Sequence, residues 1–133
     1  MATPTAGQFL GFGAGVFSGV SALLAANDQA SLLREQGALT RDDYFRQAAL
    51  VREDGHRTRA KQAMEYVSAG VELAGTPLLM LRETLSKAGA KSRALEVTGL
   101  NYERLYNRKA QITKNEGRAK LVGDIMTGAS LLL

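Results

Sequence analysis

Apolar residues in the second half of the chain return at steps of three and four. Leu78, Leu81, Leu85, Ala88, Ser92, Leu95, Gly99, Tyr102 and Tyr106 form one row, and Ile112 falls close to it. Side chains at that spacing share one face of an α-helix, so the row predicts a long helix. In the first half Phe45, Ala49, Ala60, Ala63 and Val67 make a narrower row, with Arg52 and His56 in its middle. No run alternates β-branched and aromatic residues between turn signals, which argues against strands. The pattern is that of an all-α chain.

Punctuation divides the chain. Its two prolines, Pro4 and Pro77, both follow threonine. Threonine at the N-cap with proline at the first helical position is a helix start: the hydroxyl accepts from an orphan backbone N–H, and proline has none to orphan. Ser68-Ala69-Gly70 and Gly75 bracket a turn, glycine being able to take the left-handed conformation that ends a helix. The predicted segments are a glycine-rich apolar stretch 4–26, a first arm 28–70, a turn 71–76, a second arm 77–117 and an apolar tail 118–133. Gly70, Gly75, Thr76 and Pro77 are the turn residues. Gly37 and Gly55 each cost about 1 kcal/mol against alanine in a helix, so short breaks are expected near them. The two arms, Asp28 to Gly70 and Pro77 to Gly117, are nearly equal in length. At about 1.5 Å per residue each reaches roughly 60–65 Å. Near-equal arms predict an elongated antiparallel helical hairpin with adjacent N- and C-terminal ends.

Both ends are apolar. The run from Ala6 to Ala26 carries no charge; as a helix it is about 31 Å long, close to the roughly 30 Å hydrocarbon thickness of a bilayer. Within it Gly7, Gly11, Gly15 and Gly19 fall at four-residue steps, continued by Ala22 and Ala26. Phe9, Phe12, Val16, Phe17, Val20, Leu23 and Leu24 cover the other faces. The glycines make a groove into which another helix can come close, as in small-xxx-small membrane pairs. Three readings stand: a flexible apolar tail, a buried helix contact within an oligomer, and insertion into a membrane after a conformational change. Gln8, Ser18, Ser21 and the glycines lower the hydrophobicity, and no Lys/Arg cluster flanks the run to set a topology. Nor does it read as a cleaved secretory signal, since no basic region precedes it. The tail from Leu121 to Leu133 is broken only by Asp124, and it is too short to span a bilayer alone. A single hairpin leaves such a tip open to water, so a homo-oligomer is expected. Asp124 is then exposed or faces a lumen, because burial without a partner is costly.

Composition sharpens this picture in two places. Aromatic residues are 6% of the 133, tryptophan is absent, and the 45% hydrophobic content is largely Ala and Leu. That suits close helix packing rather than a wide core. The net charge of +4 is spread out: seven basic and seven acidic residues between Asn27 and Val71, then eight and five between Glu72 and Gly117. Interleaved charge of both signs reads as two solvated helix faces. The alternative is non-specific contact between a mildly basic surface and passing nucleic acid. Absence of cysteine excludes a disulfide framework and a thiolate zinc site.

No catalytic constellation is visible, and no enzyme, cofactor or metal site is expected. His56 is the single histidine and has no companion ligands. Asp42-Asp43 and Glu53-Asp54 sit in charge-balanced runs and read as solvated faces. The glycine-rich start lacks the Gly-Lys-Ser/Thr ending of a phosphate loop. Tyr66, Tyr102 and Tyr106 are expected to pack between the arms with their hydroxyls reaching water.

Four stretches together carry a resemblance: the glycine-rich start, RDDYFRQAALVREDGHRTRAKQA (Arg41 to Ala63), SAGVELAGTPLLMLRET (Ser68 to Thr84) and GLNYERLYNRKAQITKNEGRAK (Gly99 to Lys120). With the small-residue tail, they resemble the small internal virion proteins of short-tailed bacteriophages. The resemblance implies a protein packaged in the virion and ejected with the genome, which helps build a channel through the host envelope at the outer membrane and periplasm. It also implies ejection, portal or tail proteins as partners, and a host membrane. The chain is short for that family. The alternatives are a structural protein of the portal or tail that never meets lipid, and a holin-like membrane protein.

Overall fold

The computed structural model describes residues 6–130, with side chains from Val16 onward. Two α-helices, α1 (Ala6–Ser68) and α2 (Thr76–Ser130), pack as a hairpin. No strand occurs among the described residues. The uncharged run from Ala6 and the first arm are one continuous helix, as are the second arm and the tail. Thr3 and Pro4 lie outside the described residues. The expected breaks do not occur: α1 passes through Gly37 and Gly55 without interruption. Both glycines are buried, so packing offsets their poor helix propensity.

The turn follows from its glycines. The Gly70 N–H donates to the Val67 carbonyl at 3.0 Å and the Val71 N–H to the Tyr66 carbonyl at 2.8 Å. With Gly70 at φ 74°, this is a Schellman ending, which satisfies carbonyls the last turn would otherwise leave open. At the start of α2 the Leu79 N–H donates to the Gly75 carbonyl at 3.1 Å. Gly75, at φ 64°, therefore holds the N-cap place expected of Thr76. Thr76 and Pro77 occupy the first two helical positions, which still leaves the missing proline N–H among the orphans.

Contacts divide the chain into two units, residues 1–37 with 104–133 and residues 38–103. In the first unit α1 buries Gly19, Ala26, Ala30 and Gly37, and α2 buries Ala110, Gly117 and Gly128. In the second, α1 buries Ala48 and Gly55, and α2 buries Leu81, Ser92 and Gly99. Leu81 is the one large side chain in either set. Helices bring their axes within about 8 Å only when small side chains meet, and this seam is chosen by size rather than by greasiness.

That choice overturns the first-arm row. Phe45, Ala49, Ala60 and Val67 are exposed, Val67 to 61%, and Ala63 alone of that row is half-buried. The helix is turned so that Tyr44, Ala48, Val51 and Gly55 face the partner instead. On α2 the predicted row is correct from Leu78 to Gly99, all of it buried or half-buried. Beyond Gly99 only Tyr106 of the row stays on the seam: Tyr102 and Ile112 are 41% and 52% exposed, and the seam runs through Glu103, Tyr106, Ala110 and Gly117. Strict three-four alternation has a period shorter than that of a straight α-helix and drifts around it. The extra four-residue step from Gly99 to Glu103 corrects the drift.

Candidate functional site

The uncharged run was the leading candidate, and its described portion packs against α2 of its own chain. A Cβ placed on Gly19 would lie 2.8 Å from Leu121 Cδ1, 3.1 Å from Leu121 Cα and 3.3 Å from Asp124 Cβ. One Cβ on Gly117 would overlap the Cβ of Ala26. The groove from Gly19 to Ala26 is thus filled within the first unit by Gly117, Leu121 and Asp124. Both helices advance by the same number of positions between these contacts, Gly19 to Ala26 and Gly117 to Asp124, so the register there has no slip. Phe17 points away from the seam and is 76% exposed. The side chains of Phe9 and Phe12, and the surroundings of Gly7, Gly11 and Gly15, lie outside the described residues.

Asp124 takes neither expected place outright. It is half-buried, and one carboxylate oxygen is shut from solvent without a hydrogen-bond partner. The Asn27 side-chain oxygen is in the same condition. Among the described residues no helix is long and apolar enough to cross a membrane.

In the second unit the seam is bordered by polar links. The Arg41 guanidinium donates to both carboxylate oxygens of Glu103, at 3.1 and 3.2 Å, and to Asp42 at 2.9 Å. The Asp42 bond first, then the charge of Glu103, hold Arg41 above the ordinary arginine value. Beside it the Tyr44 and Tyr102 rings stack with centroids 5.5 Å apart and planes 13° from parallel. Burial and the neighbouring Tyr102 raise the Tyr44 phenol above its usual pKa. A Cβ on Gly99 would meet Tyr44 Cβ at 2.8 Å, so the glycine is what lets this ring lie across the seam. Arg52 pairs with Glu96, and Thr84 donates to Gln62 at 2.8 Å. Singly such pairs contribute little to stability; together they fix the register.

Among the described residues the remaining candidates do not converge on one site. His56 is exposed and lines a shallow groove with Arg59, Ala60, Ala63 and Leu78. No cluster of three or more metal-ligating side chains exists among the described residues. Asp42 binds Arg41, Asp43 accepts from Gln47 and Glu53 from Arg57, so these carboxylates serve their own helix surface. Tyr66 and Tyr106 are half-buried, and Lys109 lies 5.6 Å from the Tyr106 ring centre.

Tyr44, Gly55 and Gly117 are the residues that sequence reasoning passed over. A signal for the two glycines was present. Gly19, Gly37 and Gly55 on α1, and Gly99 and Gly117 on α2, recur at one constant spacing, which is about five whole helical turns. Comparison of the chain with protein-family models, characterised proteins and solved structures returns no match.

Proposed function

We propose that this chain is a structural and ejection protein of a bacteriophage virion. In this reading copies assemble into a channel that helps the genome cross the host cell envelope. One observation carries the assembly part. A seam of small residues leaves the large apolar side chains outside: Phe17, Leu24, Leu32, Met64, Val122 and Met126 are all more than half exposed. Side chains of that kind are stable in quantity only when something covers them, and copies of the same chain are the simplest cover. The virion and its conduit come from the resemblance of the sequence stretches, which a hairpin with its ends on one unit suits.

Purified protein added to dye-loaded liposomes tests the channel. Leakage is expected, and Gly11→Leu with Gly15→Leu is expected to abolish it while the helix content stays. Leakage that survives this change removes the glycine row from the mechanism.

A second reading is a portal or tail component that docks on protein and never meets lipid. The packing of Gly19 against Leu121 and Asp124 of the same chain supports it. Liposome flotation separates the two: no membrane association at any pH or salt leaves the docking component standing.

A further inference from the structure

Nine residues make two and a half helical turns, so a side chain nine residues from a seam position points away from the seam. On α1 Asp28 stands nine residues from both Gly19 and Gly37; on α2 Arg108 stands nine from Gly117. Both are exposed. They mark the outer faces of the first unit, and these faces differ in sign. That of α1 carries Phe17, Leu24, Asp28 and Glu35, with no basic residue between Phe17 and Glu35 on that side. That of α2 carries Arg104, Arg108, Val122 and Met126, with Arg118 on one flank and Glu116 on the other. None of these six charged residues has an ion-pair partner among the described residues.

The register adds a second constraint. With Gly19 beside Asp124 and Ala26 beside Gly117, Phe17 falls level with Met126 and Glu35 level with Arg108. Asp28 falls level with Asn115, within one turn of Arg118. We propose that a second copy of this chain packs alongside the first, pointing the same way and without axial offset. The outer face of α1 in one copy meets the outer face of α2 in the next, and this interface deepens the homo-oligomeric reading above, on which it rests.

That arrangement sets Phe17 against Met126 and Glu35 against Arg108. Joining two α1 faces instead sets Asp28 and Glu35 against their own kind, and joining two α2 faces does the same with three arginines. Like charges suppress both alternatives. The apolar contacts supply the affinity, while exposed ion pairs, individually weak, choose direction and register. Since each copy offers one face to each neighbour, the contact is heterologous and builds a ring or a filament rather than a closed pair.

The chain contains no cysteine, so introduced thiols report cleanly. The full-length chain carrying both Glu35→Cys and Arg108→Cys is oxidised at its native mass and run on a denaturing gel. A ladder of linked multimers is expected, with a single band for each single-cysteine variant. Linked dimers from a single variant mean like faces meet, and overturn the proposal. An oligomeric native mass without a ladder overturns this interface and leaves assembly intact; a native mass of 14.2 kDa overturns both. Charge reversal checks the same contact without thiols. Asp28→Lys with Glu35→Lys is expected to disperse the oligomer to single chains, and adding Arg108→Glu with Arg118→Glu to restore it. Failure of the fourfold variant to reassemble while it remains helical also overturns the proposal.

Discussion

At the scale of the residue, the chain distinguishes glycines that hold two helices together from glycines that merely interrupt one. A Cβ on Gly55 would overlap the Cβ of Ala88, which has no freedom to swing aside, whereas one on Gly123 would meet nothing within 4 Å. Replacing glycine by alanine in a helix gains about 1 kcal/mol, and overpacking costs about 1–3 kcal/mol. Gly123→Ala is therefore expected to raise stability by about 0.5–1 kcal/mol and Gly55→Ala to lower it. Urea midpoints at unchanged slope measure both. Adding Ala88→Gly to Gly55→Ala is expected to recover part of the loss, a coupling that a double-mutant cycle isolates. Tyr44 is tested by alkali. Its raised pKa means the fold favours the neutral phenol. The associated stability is present below about pH 10, the ordinary tyrosine value, and is lost as pH rises through the folded pKa. In a titration of phenolate absorbance Tyr44→Phe is expected to delete a step lying above the ordinary tyrosine range. A titration in which that step survives the substitution contradicts this.

At the scale of the element, helix existence was plain and helix rotation was not. The Thr-Pro and glycine punctuation placed the turn within two residues of the observed helix ends, Ser68 and Thr76, because a left-handed φ admits few residue types. Gly70 at φ 74° is the sharpest case. Gly70→Ala is expected to cost about 1–2 kcal/mol and to lower the thermal midpoint followed by circular dichroism, with no change in helix content at low temperature. The rotation of α1 was misread for a definite reason. Hydrophobic periodicity ranks Phe45 and Val67 above Ala48 and Gly55, but close axes select the smallest side chains, and Phe45 and Val67 end outside. The five-turn recurrence of small residues, rather than the recurrence of apolar ones, carries the information for this pair. A repeat of whole turns keeps the small residues on one side of each helix, without the drift that makes a supercoil.

At the scale of the whole molecule, the large apolar side chains left outside the seam, Phe17, Leu24, Met64 and Met126 among them, have a consequence in solution. If copies cover one another, folding and association are linked by mass action. The thermal midpoint is then expected to rise with protein concentration, and the native mass to be a multiple of 14.2 kDa. A midpoint that stays constant over a hundredfold dilution, at a mass of one chain, removes the assembly reading. Charge plays a lesser part here. The net +4 is small, and high salt is expected to weaken the contact between copies through screening without unfolding α1 or α2.

The order of residues alone determined that this chain is helical, where it turns and that its ends are apolar, because these depend on local backbone preference and on spacing along one helix. It also excluded thiol chemistry, there being no cysteine. Which face of α1 turns inward, that Gly19 is filled by Leu121 of the same chain, and that Tyr44 stacks on Tyr102 were decided only in three dimensions. These depend on how closely two helices can approach. That distance is set jointly by pairs of residues far apart in the chain, Ala26 with Gly117 and Gly55 with Ala88, and neither member of a pair announces its partner.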